Sequence, residues 1–216
     1  MIRVLCLIIG YLFGLIQTAY FYGKSKGIDI REHGSGNSGT TNALRVMGTK
    51  AGLIVFAGDC LKCIVAVVIV RLVLGKVYPE VIDLLSLYTA SGCILGHNYP
   101  FYMNFKGGKG IAATAGLIIS LHPLLIPMGL IAFFGTFILT HYVSLGSLLV
   151  YAGLMVEIVI LGQNGFFEGL TQVQLYEMYA ITFLLAVMAY WKHKDNIVRL
   201  LKGNERKTYL FKKNEV

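Results

Sequence analysis

Apolar residues run through this chain in long blocks, and the polar stretches between them are short. Residues 4–22 (VLCLIIGYLFGLIQTAYFY) and 51–74 are each long enough to cross a bilayer as a helix, which takes about 20 residues. Residues 75–80 form a short external turn, and 81–99 make a third crossing. From 111 to 161 the chain is apolar almost without interruption, too long for two helices. Breaks at His122-Pro123 and around 141–146 divide this stretch into crossings at 111–121, 124–140 and 144–161. The first of these is short, so it must begin within the preceding loop or lie beside a protein-buried region. Residues 162–174 contain Glu168 and neither Lys nor Arg, as suits an external loop, and 175–191 form the last crossing. The pattern predicts an all-α, polytopic integral membrane protein with seven transmembrane helices.

Composition narrows the class further. Of 216 residues, 56% are hydrophobic and 14% charged, and the mean hydropathy is +0.68. Soluble domains run at roughly 45–50% apolar and about 25% charged, so a soluble enzyme and a disordered chain are both excluded. The length allows a single membrane-embedded domain over 1–216 and no separate soluble one. The net charge of +8 would suit nucleic acid if it were diffuse, but fifteen of the nineteen Lys and Arg residues fall in three stretches. These are Lys24 to Lys50, Lys106 with Lys109, and Lys192 to Lys213. The positive-inside rule places all three in the cytoplasm, which makes membrane lipid, not nucleic acid, the partner. The N-terminus is then outside and the C-terminus cytoplasmic, and only an odd number of crossings satisfies both; six would put the tail outside. One Arg before the first apolar run and several basic residues after it reverse the pattern of a secretory signal. Cys6, Cys60, Cys63 and Cys93 all lie in apolar segments with no converging set of four ligands, so reduced, buried thiols are expected and no metal.

The chemistry lies in the three basic stretches. In DIREHGSGNSGTTNALRVMG (29–48), Gly34, Gly36 and Gly39 alternate with Ser35, Asn37, Ser38, Thr40, Thr41 and Asn42 before a helical start. Such turns present consecutive backbone N–H groups to an anion, and Arg45 lies about one turn further on with a bidentate fork. A plain turn with a helix cap would use the same residue types. In GHNYPFYMNFKGGKGIAAT (96–114), Lys106, Gly107, Gly108, Lys109 and Gly110 open an apolar helix, a placement suited to phosphate although the Walker spacing is absent. The competing reading is an interfacial linker whose lysines face lipid phosphates. In WKHKDNIVRLLKGNERK (191–207), a basic amphipathic tail with Trp191 as interfacial anchor also carries His193 and Asn196, three apart and so on one face of a helix. Two phosphate-suited loops and a His-x-x-Asn on one membrane face point to a site for two phosphorylated ligands.

In order and spacing, DIREHGSGNSGTTNALRVMG, GHNYPFYMNFKGGKG and HKDNIVRLLKGNE resemble the three motifs of the bacterial acyl-phosphate:glycerol-3-phosphate acyltransferase family, over residues 14 to 205. The resemblance implies a compact seven-helix fold in the bacterial plasma membrane, with the motifs on the cytoplasmic face. It also implies transfer of an acyl group from acyl phosphate to the sn-1 hydroxyl of glycerol 3-phosphate, giving lysophosphatidic acid and phosphate, without a cofactor. A soluble acyl-phosphate-forming enzyme is a candidate partner. By motif position Ser35, His193 and Asn196 are the expected catalytic residues. Gly34, Gly36, Asn37, Asn42 and Arg45 of the first motif, with Lys106, Gly107, Gly108, Lys109 and Gly110 of the second, are expected to bind substrate. Glu205 matches a carboxylate expected to pair with an Arg or Lys. Thr40 stands where the family usually has Ala, and Lys194 and Asp195 stand where it has Arg and Glu; these differences touch substrate preference more than the reaction.

Acyl phosphate carries its own leaving group, so positioning and charge neutralisation should dominate catalysis. The attacking hydroxyl must lose a proton either to His193 or to a substrate phosphate oxygen, and the sequence leaves open which loop holds which phosphate. An acyl-serine at Ser35 is disfavoured because neither an Asp-His pair at recognisable spacing nor a G-x-S-x-G elbow accompanies it. A phosphate-ester transporter would show inverted repeats and broken helices at the midplane, and no repeat is evident. A lipid-surface protein would account for the tail but not for both glycine-rich loops. Asp59, Lys62 and Glu157 are intramembrane charges, the first two spaced to pair with each other unless Lys62 faces the site, the third with no evident partner.

Overall fold

A computed structural model describes residues 1–210, with no strand among them. Lys212 and Lys213 of the basic tail lie outside the described residues. The helices are α1 (Ile2–Gly14), α2 (Thr18–Ser25), α3 (Thr40–Met47), α4 (Thr49–Leu74), α5 (Ile82–Asn98), α6 (Ile111–Leu121), α7 (Leu125–Leu130), α8 (Thr136–Thr140), α9 (Val143–Gln163), α10 (Gln172–Lys192) and α11 (Lys194–Leu201). Four of the resulting segments are long and apolar enough to cross a membrane: Ile2–Ser25, α4, α9 and α10. Of the rest, α5 has 17 residues and α6 has 11, and Leu125–Thr140 is continuous only through a π turn over Ile131–Gly135.

The expected single helix over 4–22 is divided at residues 15–17. The interruption frees backbone carbonyls, and buried side chains take them up. Lys62 Nζ on α4 donates to Ile16 O at 2.5 Å and to Gly14 O at 3.3 Å, while Gln17 Nε2 donates to Gly14 O at 3.2 Å and to His97 O at 3.0 Å. Lys62 also pairs with Asp59 at 2.8 Å and lies 2.9 Å from His97 Nδ1, and Thr18 Oγ1 donates to Asp59 at 2.9 Å. Asp59 and Lys62 of α4 therefore pair with each other, and Lys62 bridges α1 to α5. Irregular backbone at membrane depth is tolerated where protein surrounds it in this way. Glu157 has no hydrogen-bond or ion-pair partner among the described residues.

The helix pair α1 and α5 meets through facing glycines, Gly10 and Gly14 on one and Gly92 and Gly96 on the other. A Cβ at Gly10 would stand 1.8 Å from Thr89 O, and one at Gly92 would stand 2.0 Å from Leu7 O. Without side chains here the backbones come into contact, which is how apolar helices gain dispersion energy in lipid. The rest of the core gathers Leu84, Leu87, Leu117, Tyr151, Leu154 and Met178 from α5, α6, α9 and α10. The three elements expected between 111 and 161 are separated where the sequence placed their breaks, with His122 extended and His141 left-handed at φ 60°.

Candidate active site

The first motif is organised from below by Asn42, buried in the opening turn of α3. Its Oδ1 accepts from the Ser35 backbone N–H at 2.9 Å, and its Nδ2 donates to His33 O at 3.0 Å and Ile30 O at 3.2 Å. Gly34, at φ +61°, passes so close that a Cβ would lie 2.3 Å from Asn42 Oδ1. Asn42, expected among the substrate ligands, thus engages both donors of its amide in holding the loop. Gly36 also has positive φ, and Ser35 is exposed at the loop's outer edge. Neither the Ser35 hydroxyl nor the Asn37 amide hydrogen-bonds to any described residue. The Ser38 and Thr40 hydroxyls and Arg45 Nε are buried polar atoms with no partner in the described structure, as donors awaiting an acceptor would be.

The second motif lies over the C-terminal end of α5. Gly107 N–H donates to Asn98 O at 3.2 Å and Gly108 N–H to His97 O at 3.1 Å. A Cβ at Gly107 would stand 2.1 Å from His97 O, and one at Gly108 would stand 2.0 Å from His97 Nε2. These two glycines are therefore demanded by close packing on α5, while Gly110, at φ +80°, is the N-cap of α6 without a side-chain cap. The α6 N-terminus keeps its first N–H groups available for an anion. Lys106 is exposed, with no ion pair or hydrogen bond from its side chain among the described residues. Lys109 instead turns inward and donates to Asn196 Oδ1.

The third motif differs from the helix face expected of it. His193 forms the joint between α10 and α11, and Asn196 lies in the first turn of α11. His193 is 3% exposed, and its Nδ1 lies 2.8 Å from Ala189 O. A carbonyl only accepts, so Nδ1 carries the proton and Nε2 holds the lone pair. Burial, with the nearby Lys109 charge, lowers the imidazole pKa to about 4. Asn196 Nδ2 donates to Glu205 Oε1 at 2.6 Å, Ser144 Oγ donates to the same oxygen at 2.9 Å, and Arg199 Nε pairs with Oε2 at 2.7 Å. Burial alone would raise the Glu205 pKa, but the three hydrogen bonds together hold it below the usual carboxylate range. Burial lowers Lys109 to about 8 against the opposing pull of Glu205.

Arg45, itself lowered by burial, reaches this cluster through the chain that follows Glu205. It donates to Thr208 Oγ1 at 2.7 Å and to Arg206 O at 3.1 Å. The fold thus brings Lys109, His193, Asn196, Glu205 and Arg45 into one charged cluster, and leaves Ser35, Asn37 and Lys106 on exposed or half-exposed loop positions. Sequence reasoning passed over Ser144 and Thr208. Ser144 opens an apolar run and Thr208 lies past the last motif, so no local pattern marks either. Between α9 and α10, Tyr151, Met155, Phe183, Val187, Trp191 and Lys194 line a groove of about 600 Å³, ending at residues that bracket His193 in the chain. Among the described residues no three His, Cys, Asp or Glu side chains gather as metal ligands, and all four cysteines are buried and unpaired.

Residues 4–203 match the family model described as glycerol-3-phosphate acyltransferase. A curated glycerol-3-phosphate acyltransferase of Thermoanaerobacter sp. (strain X514) is 39% identical over 208 residues, covering 96% of each chain. That of Halalkalibacterium halodurans is 37% identical over 203 residues, covering 93% of each. The crystal structure of PlsY (YgiH), an integral membrane glycerol 3-phosphate acyltransferase, superposes in its glycerol 3-phosphate form with a TM-score of 0.81 at 29% identity, covering 97% of this chain and 99% of the other. Its lysophosphatidic acid form gives a TM-score of 0.76 at the same identity, covering 96% of each. With three motifs folded against one another at one end of an apolar helical bundle, and with matches along nearly its whole length, this chain belongs to the glycerol-3-phosphate acyltransferase family.

Proposed function

We propose that the protein transfers an acyl group from acyl phosphate to the sn-1 hydroxyl of glycerol 3-phosphate, releasing lysophosphatidic acid and inorganic phosphate. The site faces the cytoplasm of a bacterial inner membrane that the chain crosses seven times. The observation that carries this reading is the cluster of half-buried Lys109 and Arg45 with buried His193 and Asn196, in which Lys109 and Asn196 are joined to Arg45 through Glu205 and the segment after it. Lys109, Arg45 and the uncapped start of α6 supply positive charge and N–H donors for two phosphates. The unpartnered Ser38 and Thr40 hydroxyls add donors beside the first loop. The groove between α9 and α10 has the apolar lining an acyl chain needs. A solved relative with a glycerol 3-phosphate form and a lysophosphatidic acid form supports the same substrate and product. A soluble enzyme that makes acyl phosphate is the partner this donor requires.

In the reaction the glycerol hydroxyl oxygen bonds to the acyl carbon, the bond from that carbon to the phosphate oxygen breaks, and phosphate departs with the electron pair. The hydroxyl proton needs an acceptor. Neutral His193 presents Nε2, but with a conjugate acid near 4 it is a weaker base than a phosphate monoester, whose second pKa is about 6. This favours a substrate phosphate oxygen as the acceptor, with His193 binding the substrate and Asn196 orienting the hydroxyl or polarising the acyl carbonyl. Ser35, exposed and with no base hydrogen-bonded to its hydroxyl, fits a substrate ligand better than a nucleophile.

The test is product formation by the purified protein from palmitoyl phosphate and labelled glycerol 3-phosphate with EDTA present, beside a palmitoyl-CoA reaction. Lysophosphatidic acid from the first alone is expected; product from palmitoyl-CoA alone would overturn the donor. In His193→Ala, a raised KM with kcat largely kept is expected from a binding role, whereas a kcat loss of about a thousandfold would make His193 the base.

A further inference from the structure

The segment following Glu205 lies beyond the residues that the family model matches, which end at 203, yet it is tied to the first motif at Arg45, to the α8–α9 joint at His141 and to the start of α4 at Thr49. Thr208 is 1% exposed. Its hydroxyl accepts from Arg45 of the first motif at 2.7 Å, and its backbone N–H donates to His141 O at the left-handed joint between α8 and α9 at 2.9 Å. Two residues on, Leu210 O accepts from Thr49 Oγ1 at the start of α4 at 2.7 Å, and the Tyr209 ring lies 4.7 Å from that of His141. These contacts join parts of the chain up to 163 residues apart. An arginine side chain has several rotatable bonds and loses much rotamer freedom on being fixed. Here one amino nitrogen of the guanidinium is anchored, while Nε is buried with no partner in the described structure.

We infer that Thr208 is a positioning residue for Arg45: the strap 206–210 holds the guanidinium ready for a substrate phosphate, so phosphate binding depends on a hydroxyl outside the three motifs. The inference rests on the reading of Arg45 as a phosphate ligand. Thr208 touches no reacting atom, and it acts by removing the ordering cost that a mobile arginine would bear on binding.

Thr208→Val keeps shape and volume but removes the acceptor. Steady-state kinetics with the full chain, using whichever acyl donor the protein turns over, should show KM for one of the two substrates raised about tenfold, the order expected for one charge-assisted hydrogen bond, with kcat within about twofold. Thr208→Ser, which retains the hydroxyl, should restore KM. In an Arg45→Ala background Thr208→Val should add nothing, because the hydroxyl acts only through the guanidinium. Unchanged KM values in Thr208→Val, or a further equal loss in the Arg45→Ala background, would overturn the inference. If Arg45→Ala itself leaves both KM values unchanged, the phosphate role of Arg45 fails and this inference fails with it. Arg45→Ala raising KM while Thr208→Val does not would overturn the inference alone.

Discussion

Lys109 shows how burial sets chemistry at a single residue. Its pKa near 8 makes it an ammonium at neutral pH and an amine at pH 9, so attraction for a phosphate should fade as pH rises through about 8. KM for the phosphate substrate that Lys109 holds is therefore expected to climb above pH 8. Lys109→Arg, which keeps its charge, should move that limb upward; a profile flat to pH 10 in the wild type would count against Lys109 as a ligand. Glu205 makes the complementary case. Replacing it by Gln keeps the shape but takes a charge from a carboxylate that three side chains hold. Arg199 then loses its ion partner and Asn196 its charged acceptor, and a loss of about 2 kcal/mol or more in stability is expected, read as a lower Tm together with a lower kcat/KM. The types and spacing of Lys109, His193 and Asn196 were legible in the sequence because their motifs are local. That Asn42 supports a loop was not, since an amide facing solvent and one facing backbone carbonyls look alike in one dimension.

Among the elements, the tightest constraint is the glycine contact between α1 and α5. Gly92→Leu would drive a side chain into the Leu7 carbonyl. Helix separation is expected to cost about 2 kcal/mol or more, seen as a fall of several degrees in the melting temperature in detergent. Gly27, where an added Cβ would meet no atom within 4 Å but φ is +72°, is a control for backbone strain alone. The break in the first crossing makes a second prediction. Lys62→Met would leave the carbonyl of Ile16 without its donor, that of Gly14 with Gln17 alone, and Asp59 without its counter-charge, at a cost of about 3–5 kcal/mol for a buried pair broken on one side. The double change Asp59→Asn with Lys62→Met should recover part of this, measured by thermal unfolding of both variants. A helix over 4–22 was the natural expectation from hydropathy, because hydropathy registers transfer energy and is blind to a lysine arriving from another helix.

For the whole molecule, the clustering of basic residues predicts the arrangement across the bilayer. Single cysteines placed at Lys106 and Lys202 should react with an impermeant thiol reagent only from the cytoplasmic side, and those at Lys76 and Gln172 only from outside, in a background whose four native cysteines are buried. Lys76 and Lys202 reacting from one side would break the odd-crossing topology. By itself the sequence determined that this is a helical membrane protein, where its apolar segments lie, which loops carry glycine, charge and histidine, and which family those motifs resemble. These properties are sums over neighbouring residues, so no fold is needed to read them. Only the tertiary structure decided which of those residues meet: Lys109 with Asn196, Arg45 with Thr208, Lys62 with a broken helix and the glycines of α1 with those of α5. Each of these contacts joins segments tens of residues or more apart in the chain, and packing in three dimensions, not local composition, determines which donor finds which acceptor.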